Sequence, residues 1–187
     1  MSESTQGTEQ GLIEKIRKGD ERAFATLLRI YNGKIYGFFY RTFRCPEIAK
    51  DLFQETFLRV WRNIGRFDAN RRFDVWLFTI AHRVSIDAIR AKKTRSIVEA
   101  AEFEGIAGED DPAQRFLKQE LDDQIALAVE ELSEKQRRVF LLRQQAGLAF
   151  KEIAEVLDEP LNTVLSHMHY AVKKLRKILQ ETYDAKP

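Results

Sequence analysis

Leu132–Leu179 reads LSEKQRRVFLLRQQAGLAFKEIAEVLDEPLNTVLSHMHYAVKKLRKIL, and this stretch decides the fold. Ser133-Glu134-Lys135-Gln136 is a capping box: the serine oxygen can accept a backbone N–H while Gln136 reaches back to the cap. Gly147 stands where that helix must end. A short second helix follows, with Phe150, Ile153, Ala154 and Leu157 on one face. Asp158-Glu159-Pro160 then forces a turn, because proline cannot continue a helix. Asn162 or Thr163 is the expected N-cap of the last helix. That helix buries Val164, Met168, Ala171, Leu175 and Ile178 as one stripe. Its opposite face carries Leu165, Ser166, His169, Tyr170 and Lys173, with Lys174, Arg176 and Lys177 one turn further on. Capped helix, short helix, turn and basic helix in that order are the pattern of a helix-turn-helix that reads duplex DNA.

Charge divides the chain. Residues 1–97 hold 19 Lys and Arg against 11 Asp and Glu, residues 98–131 hold 2 against 11, and residues 132–187 hold 10 against 7. Two basic blocks therefore flank an acidic connector, and the net charge of +2 over 187 residues conceals both. The basic blocks suit a polyanionic partner. Glu99, Glu102, Glu104, Glu109, Asp110 and Asp111, interrupted by Gly105, Gly108 and Pro112, suit a flexible anionic strand. The expected organisation is all-α: a disordered N-terminal tail over 1–11, a helical domain over 12–97, an acidic linker over 98–124 and the helix-turn-helix domain over 125–182.

Several function classes are disfavoured. Met1–Gly11 lacks a basic-then-apolar run and no window reaches a membrane-spanning length, so a cytoplasmic protein without membrane insertion is expected. A single cysteine, Cys45, excludes an internal disulfide. His82 is isolated, and His167 and His169 point to different sides of one helix, so no metal site is expected. Without a glycine-rich phosphate loop or a nucleophile elbow, neither a cofactor nor an enzymatic activity is expected.

The first block is helical throughout. Asp20 is an expected N-cap, followed by Phe24, Leu27, Leu28 and Tyr31 as a core face. Pro46 suits a first helical position, and Ile48, Leu52, Val60, Trp61 and Ile64 form the buried side of a helix ended by Gly65. The polar side of that helix presents Asp51, Gln54, Glu55, Arg59 and Arg62, which composition alone leaves as a solvated face. In the next loop Arg66, Asn70, Arg71 and Arg72 crowd around Phe67 and Phe73. Along the helix that follows, Trp76, Arg83 and Arg90 recur every seven residues and share a face, apart from the core stripe of Leu77, Ile80, Ala81, Val84 and Ala88. Asp87 is spaced to pair with Arg83 or Arg90. Aromatic rings beside arginines suit unpaired bases, which stack on a ring while their phosphates meet a charge. For Phe73 a stacking role and a core role are equally compatible with the sequence; Trp76 is expected to be partly buried.

Both blocks resemble a known family. DLFQETFLRVW (Asp51–Trp61), Arg66-Phe67 and FDVWLFTIA (Phe73–Ala81), with Asp87 and Arg90, resemble region 2 of bacterial sigma factors. LSEKQRRVFLLR (Leu132–Arg143), FKEIAEVL (Phe150–Leu157) and NTVLS (Asn162–Ser166) resemble region 4. Two regions in this order, over roughly 12–95 and 125–180, are the pattern of the extracytoplasmic-function, or group IV, class.

The resemblance implies a dissociable specificity subunit of RNA polymerase and gives tasks to specific faces. Asp51, Gln54, Glu55, Arg59 and Arg62 become candidates for docking on core polymerase. Arg66, Asn70, Arg71, Arg72, Phe73, Trp76, Arg83, Asp87 and Arg90 become candidates for recognising and melting the minus-ten element by capture of a flipped base. Asn162, Thr163, Leu165, Ser166, His167, His169, Tyr170 and Lys173 become candidates for reading the minus-thirty-five element in the major groove. The implied partners are core polymerase, promoter DNA and an anti-sigma factor, and the acidic connector would occupy the polymerase cleft as an RNA mimic. Two positions depart from the family pattern. Arg83 replaces a common asparagine, and Leu165, His167, Tyr170 and Val172 stand where basic residues are usual, which implies weak DNA affinity for the isolated second domain. The competing classes are a free-standing helix-turn-helix regulator and a sigma mimic that sequesters an anti-sigma factor.

Overall fold

The computed structural model describes the backbone of residues 3–98 and 128–184 and the side chains of residues 9–91 and 128–181. Residues 99–124 of the expected acidic linker, and the side chains of Lys92, Lys93 and Arg95, lie outside the described residues. The chain divides into two compact units, Met1–Ile106 and Ala107–Pro187. Every regular element among the described residues is helical.

The first unit is built from α1 (Glu3–Arg17), α2 (Glu21–Phe43), α3 (Pro46–Asn63), a 3-10 turn (Ile64–Arg66) and α4 (Phe73–Val98). Asp20 caps α2, its carboxylate accepting from Arg22 N at 2.9 Å and Ala23 N at 3.0 Å. A left-handed Arg44 closes α2, and Pro46 opens α3 at its first position. Leu27, Ile35, Phe38 and Phe39 of α2, Ala49 and Val60 of α3, and Leu77, Phe78 and Ala81 of α4 form the core. Phe38 and Phe78 meet edge to face, 5.8 Å apart.

The first element differs from the sequence expectation. A disordered tail was expected over 1–11, yet α1 is helical from Glu3. Polar composition hides this helix, because its stability comes from tertiary contacts. Ile13 and Ile16 are buried, and the Tyr31 hydroxyl of α2 donates to the Glu9 carboxylate. Two further boundaries move. Gly65 lies inside the 3-10 turn that follows α3, and Trp61, expected in the core, is 36% exposed with one face on Phe24 at 4.9 Å.

The second unit contains α5 (Glu134–Gln145), α6 (Phe150–Leu157) and α7 (Leu161–Asp184). The capping box at α5 is complete: Ser133 Oγ accepts from Gln136 N at 3.4 Å and Gln136 Oε1 from Ser133 N at 3.2 Å. Gly147, at φ +68°, takes the left-handed conformation that lets the chain leave α5. A left-handed Asp158 does the same after α6. The start of α7 lies earlier than expected. Neither Asn162 nor Thr163 is the cap; the Pro160 carbonyl accepts from Thr163 N at 2.9 Å and Val164 N at 3.2 Å, so both residues sit in the first turn. Proline has no N–H to satisfy, and its fixed φ is compatible with the start of a helix. Val139, Leu141 and Leu142 pack with Leu148, Ile153, Val156, Val164, Ala171 and Leu175 as the core.

Two measurements check this account. Burial, reinforced by Asp74, raises the Glu9 carboxyl above its ordinary 4.5, against the lowering effects of its Tyr31 bond, Lys34 and Arg72. Its folded-state pKa exceeds the unfolded value, so the stability it contributes is present at low pH and is lost as pH rises through the folded value. Glu9→Gln keeps an acceptor for Tyr31 and cannot titrate. Wild type should therefore gain stability relative to Glu9→Gln as pH falls through the raised Glu9 pKa toward 4.5, followed by thermal unfolding. Gly147→Ala meets no atom within 4 Å and is opposed only by its positive φ, so it should destabilise the second unit by about 1 kcal/mol in denaturant titration.

Candidate nucleic-acid interface

The loop between the 3-10 turn and α4 is pinned at both ends by buried rings. Phe67 and Phe73 are 4% and 2% exposed and meet edge to face at 5.4 Å. Half-buried Trp76 completes the cluster, 5.1 Å from Phe67 and 5.6 Å from Phe73, and Tyr31 closes it from α2 at 5.5 Å from Phe73. Phe73 is thereby assigned to the core. It cannot offer a face to a base, and its place is to anchor the loop. Trp76 keeps an accessible portion, as its spacing suggested.

Between these anchors the chain turns on Asp68. Its carboxylate accepts from Asn70 N and Asn70 Nδ2, both at 3.0 Å, and its carbonyl accepts from Arg71 N at 2.9 Å. Asn70 is therefore engaged in shaping the turn. Arg66, Arg71 and Arg72 are exposed, with Arg72 donating in bidentate fashion to Asp74 at the start of α4. Asp74, itself nearly buried, also accepts from Val75 N at 2.9 Å. Further along α4, Arg83 and Arg90 are exposed on the face shared with Trp76.

Asp87 has a partner that helical spacing did not reveal. Its Oδ2 accepts from Arg59 Nη1 of α3 at 3.0 Å, while Arg59 Nε donates to Glu55 at 2.7 Å. These two carboxylates, Glu55 first, raise the Arg59 guanidinium against its burial, and Arg59 thus ties α3 to α4. Asp51, Gln54 and Arg62 remain exposed on α3. Leu58 lies among them and is 50% exposed; sequence reasoning passed over it. Its signal was an apolar residue four positions from Gln54 and Arg62 on a polar face.

On the second unit, the N-terminal ends of α5 and α7 line an open groove of about 500 Å³, with Ser133, Lys135 and Gln136 on one side and Asn162, Thr163, Ser166, His167 and Tyr170 on the other. Two helix N-termini and a lysine make this groove suited to anions. Lys135 and Gln136 join the candidate set here. Leu165, Ser166, His169, Tyr170 and Lys173 are exposed on α7, and the His169 and Tyr170 rings touch at 5.6 Å. Ser166 Oγ donates to the Asn162 carbonyl at 2.8 Å, leaving its lone pairs as acceptors. His167 is turned toward the preceding bend, its Nε2 3.7 Å from Glu159 Oε2, and Lys174 donates to the Glu131 carbonyl. The face of α7 thus mixes apolar, hydroxyl and imidazole groups with few cations, a set suited to base edges more than to phosphates.

Known proteins match this architecture. The models for Sigma-70 region 2 and Sigma-70 region 4 match residues 27–95 and 122–175. The ECF RNA polymerase sigma factor SigW of Bacillus subtilis is 35% identical over 178 residues, 90% of this chain and 95% of that protein. The RNA polymerase sigma-H factor of Pseudomonas aeruginosa is 31% identical over 185 residues, covering 94% and 96%. Among solved structures, CnrH in complex with the cytosolic domain of CnrY shares the fold at a TM-score of 0.66 and 24% identity, covering 93% of this chain and 98% of that one. The sigma factor RpoE in complex with the anti-sigma factor NepR from Bartonella quintana shares it at 0.68 and 22%, covering 84% and 96%. With both regions in order and relatives matched over nearly their whole length, the chain belongs to the extracytoplasmic-function sigma factors, the subunits that direct RNA polymerase to promoters.

Proposed function

We propose that the three faces divide the work of initiation. The exposed side of α3, with Asp51, Gln54, Glu55, Leu58 and Arg62, docks on core polymerase, with Leu58 as its apolar centre. Arg66 of the 3-10 turn and Arg71 and Arg72 of the loop, with Trp76, Arg83 and Arg90 of α4, engage the minus-ten element and hold its non-template strand open. The observation that carries this reading is the loop itself: exposed arginines on a segment whose two ends are buried phenylalanines, beside a half-buried tryptophan. Flipping a base requires a few kcal/mol, which stacking and phosphate contacts together can offset.

On α7, Leu165 meets a thymine methyl while Ser166 and His169 hydrogen-bond base edges, with Lys135 and Lys173 on the flanking phosphates. The small number of cations favours binding through both DNA-contacting units at once, since linkage raises the local concentration of the second. Regulation by an anti-sigma factor is part of the proposal, by analogy with the RpoE–NepR complex. Working on promoters with polymerase, the protein would act in the cytoplasm.

In vitro transcription by core polymerase on a fragmented genomic library, with start mapping, is the primary test. Starts that depend on this protein and share two spaced upstream elements are expected; stable core binding without new starts would favour a sigma mimic. Substitution then separates the faces. Leu58→Ala should weaken core binding about tenfold while changing stability by less than about 0.5 kcal/mol. Arg66→Ala with Arg71→Ala should leave core binding intact and lower open-complex formation, read by permanganate reactivity of unpaired thymines.

A further inference from the structure

We propose that Arg17, at the end of α1, is the positioning residue of the promoter-melting loop, so that α1 acts as a clasp on that loop. The inference rests on the role proposed above for the loop; the geometry stands by itself. Arg17 Nε donates to the Ile64 carbonyl at 3.3 Å, and a terminal guanidinium nitrogen donates to the Phe67 carbonyl. These two carbonyls bracket Arg66. About two turns earlier on the same helix, Gln10 Nε2 donates to the Ala69 carbonyl at 3.5 Å. Side chains of α1 thus reach backbone acceptors before and within the bend that carries the basic residues, at Ile64, Phe67 and Ala69.

The chemistry favours arginine. A guanidinium is a planar fork of five donors, able to serve two carbonyls from one rigid group. The Ile64 carbonyl already accepts from Phe67 N at 3.2 Å, so the arginine adds a charged donor to a short backbone turn without disrupting it. Buried Ile13 and Ile16 fix the rotation of α1, and the register of the helix then delivers Arg17 to the 3-10 turn. Lys18, the next residue, is exposed and contributes charge without these bonds. The consequence is preorganisation. With its carbonyls held, the loop presents Arg66 and Arg71 in one geometry before DNA arrives, and less ordering opposes capture of the strand.

The test compares Arg17→Met, which keeps the aliphatic stem and removes the donors, with Lys18→Met, which removes the same charge nearby. Amide hydrogen exchange on the full-length protein reads the clasp directly: Arg17→Met should accelerate exchange over residues 64–72, and Lys18→Met should not. Unchanged exchange in Arg17→Met overturns the proposal, whatever the protein does with DNA. Holoenzyme is then assayed on a promoter defined by start mapping, as intact duplex and with the minus-ten segment premelted by mismatches. Arg17→Met should lower opening of the duplex by about tenfold at equal core occupancy, with the premelted template restoring most of the loss. An equal loss on both templates, or a loss that tracks a lowered melting temperature and core affinity, assigns Arg17 a merely structural role and overturns the proposal. If wild type itself opens no promoter, the melting role of the loop fails, and hydrogen exchange still decides the clasp.

Discussion

The insertion of Phe67 and Phe73 into one aromatic cluster fixes the loop proposed to meet nucleic acid in the first unit. Only five residues separate these anchors, so the chain between them cannot turn inward, and its arginines are forced to the surface. Burial of a phenylalanine contributes about 1.5–3 kcal/mol, while ordering each intervening residue opposes folding by about 1–2 kcal/mol. The anchors and their ring contacts are of the same order as the entropy they oppose. Additional polar contacts therefore decide whether the loop has one conformation, and they are present: the Asp68 turn, the Arg72–Asp74 pair and the donors from α1.

In the second unit the corresponding constraint is backbone geometry. Gly147 and Asp158 both take left-handed conformations, and Pro160 starts α7 with its own carbonyl. These three residues aim α7 so that Val164, Ala171 and Leu175 are buried while Leu165, His169 and Tyr170 stay outside. Exposing Leu165 to 41% is unfavourable for a solvated helix and is understandable where a ligand surface replaces water. The same aim brings the N-terminal ends of α5 and α7 to one groove. An anion there meets backbone dipoles, which need no side-chain charge. A reading face poor in lysine and arginine is then consistent with DNA binding, because part of the positive potential resides in the helix ends.

Periodicity and local punctuation made most helices legible. Asp20, Pro46, Ser133 and Gly147 stand where caps and exits occur, since their effects are short-range. What the sequence hid was partnership over distance. A polar N-terminal segment resembles a tail until Tyr31 and the carbonyls after α3 supply its partners. Spacing put Trp61 on the apolar side of α3, but packing against Phe24 of α2 leaves part of its ring uncovered. Phe73 was ambiguous because a ring that stacks on a base and a ring that packs in a core leave the same trace in a sequence. Only the neighbours Phe67, Tyr31 and Trp76 resolve it.

Arg59 links the α3 face proposed for docking to the α4 face proposed for melting. It sits on the α3 face proposed to meet polymerase, yet its donors reach Glu55 on its own helix and Asp87 on α4. Arg59 is 35% exposed and Asp87 54%, so solvent screens the pair and its contribution to stability is small, within about 1 kcal/mol. Its importance is geometric, because Asp87 lies between Arg83 and Arg90 on the helix proposed to carry the melting face. A carboxylate from polymerase that drew Arg59 away would leave Asp87 free to orient the arginines of its own helix, whereas an Arg59 that kept both partners would hold α3 and α4 as one rigid piece. If polymerase docks on α3 as proposed, both arrangements couple that face to α4 through the Arg59 guanidinium. A weak, exposed ion pair is suited to that part, since a strongly stabilising one would resist exchange of partners.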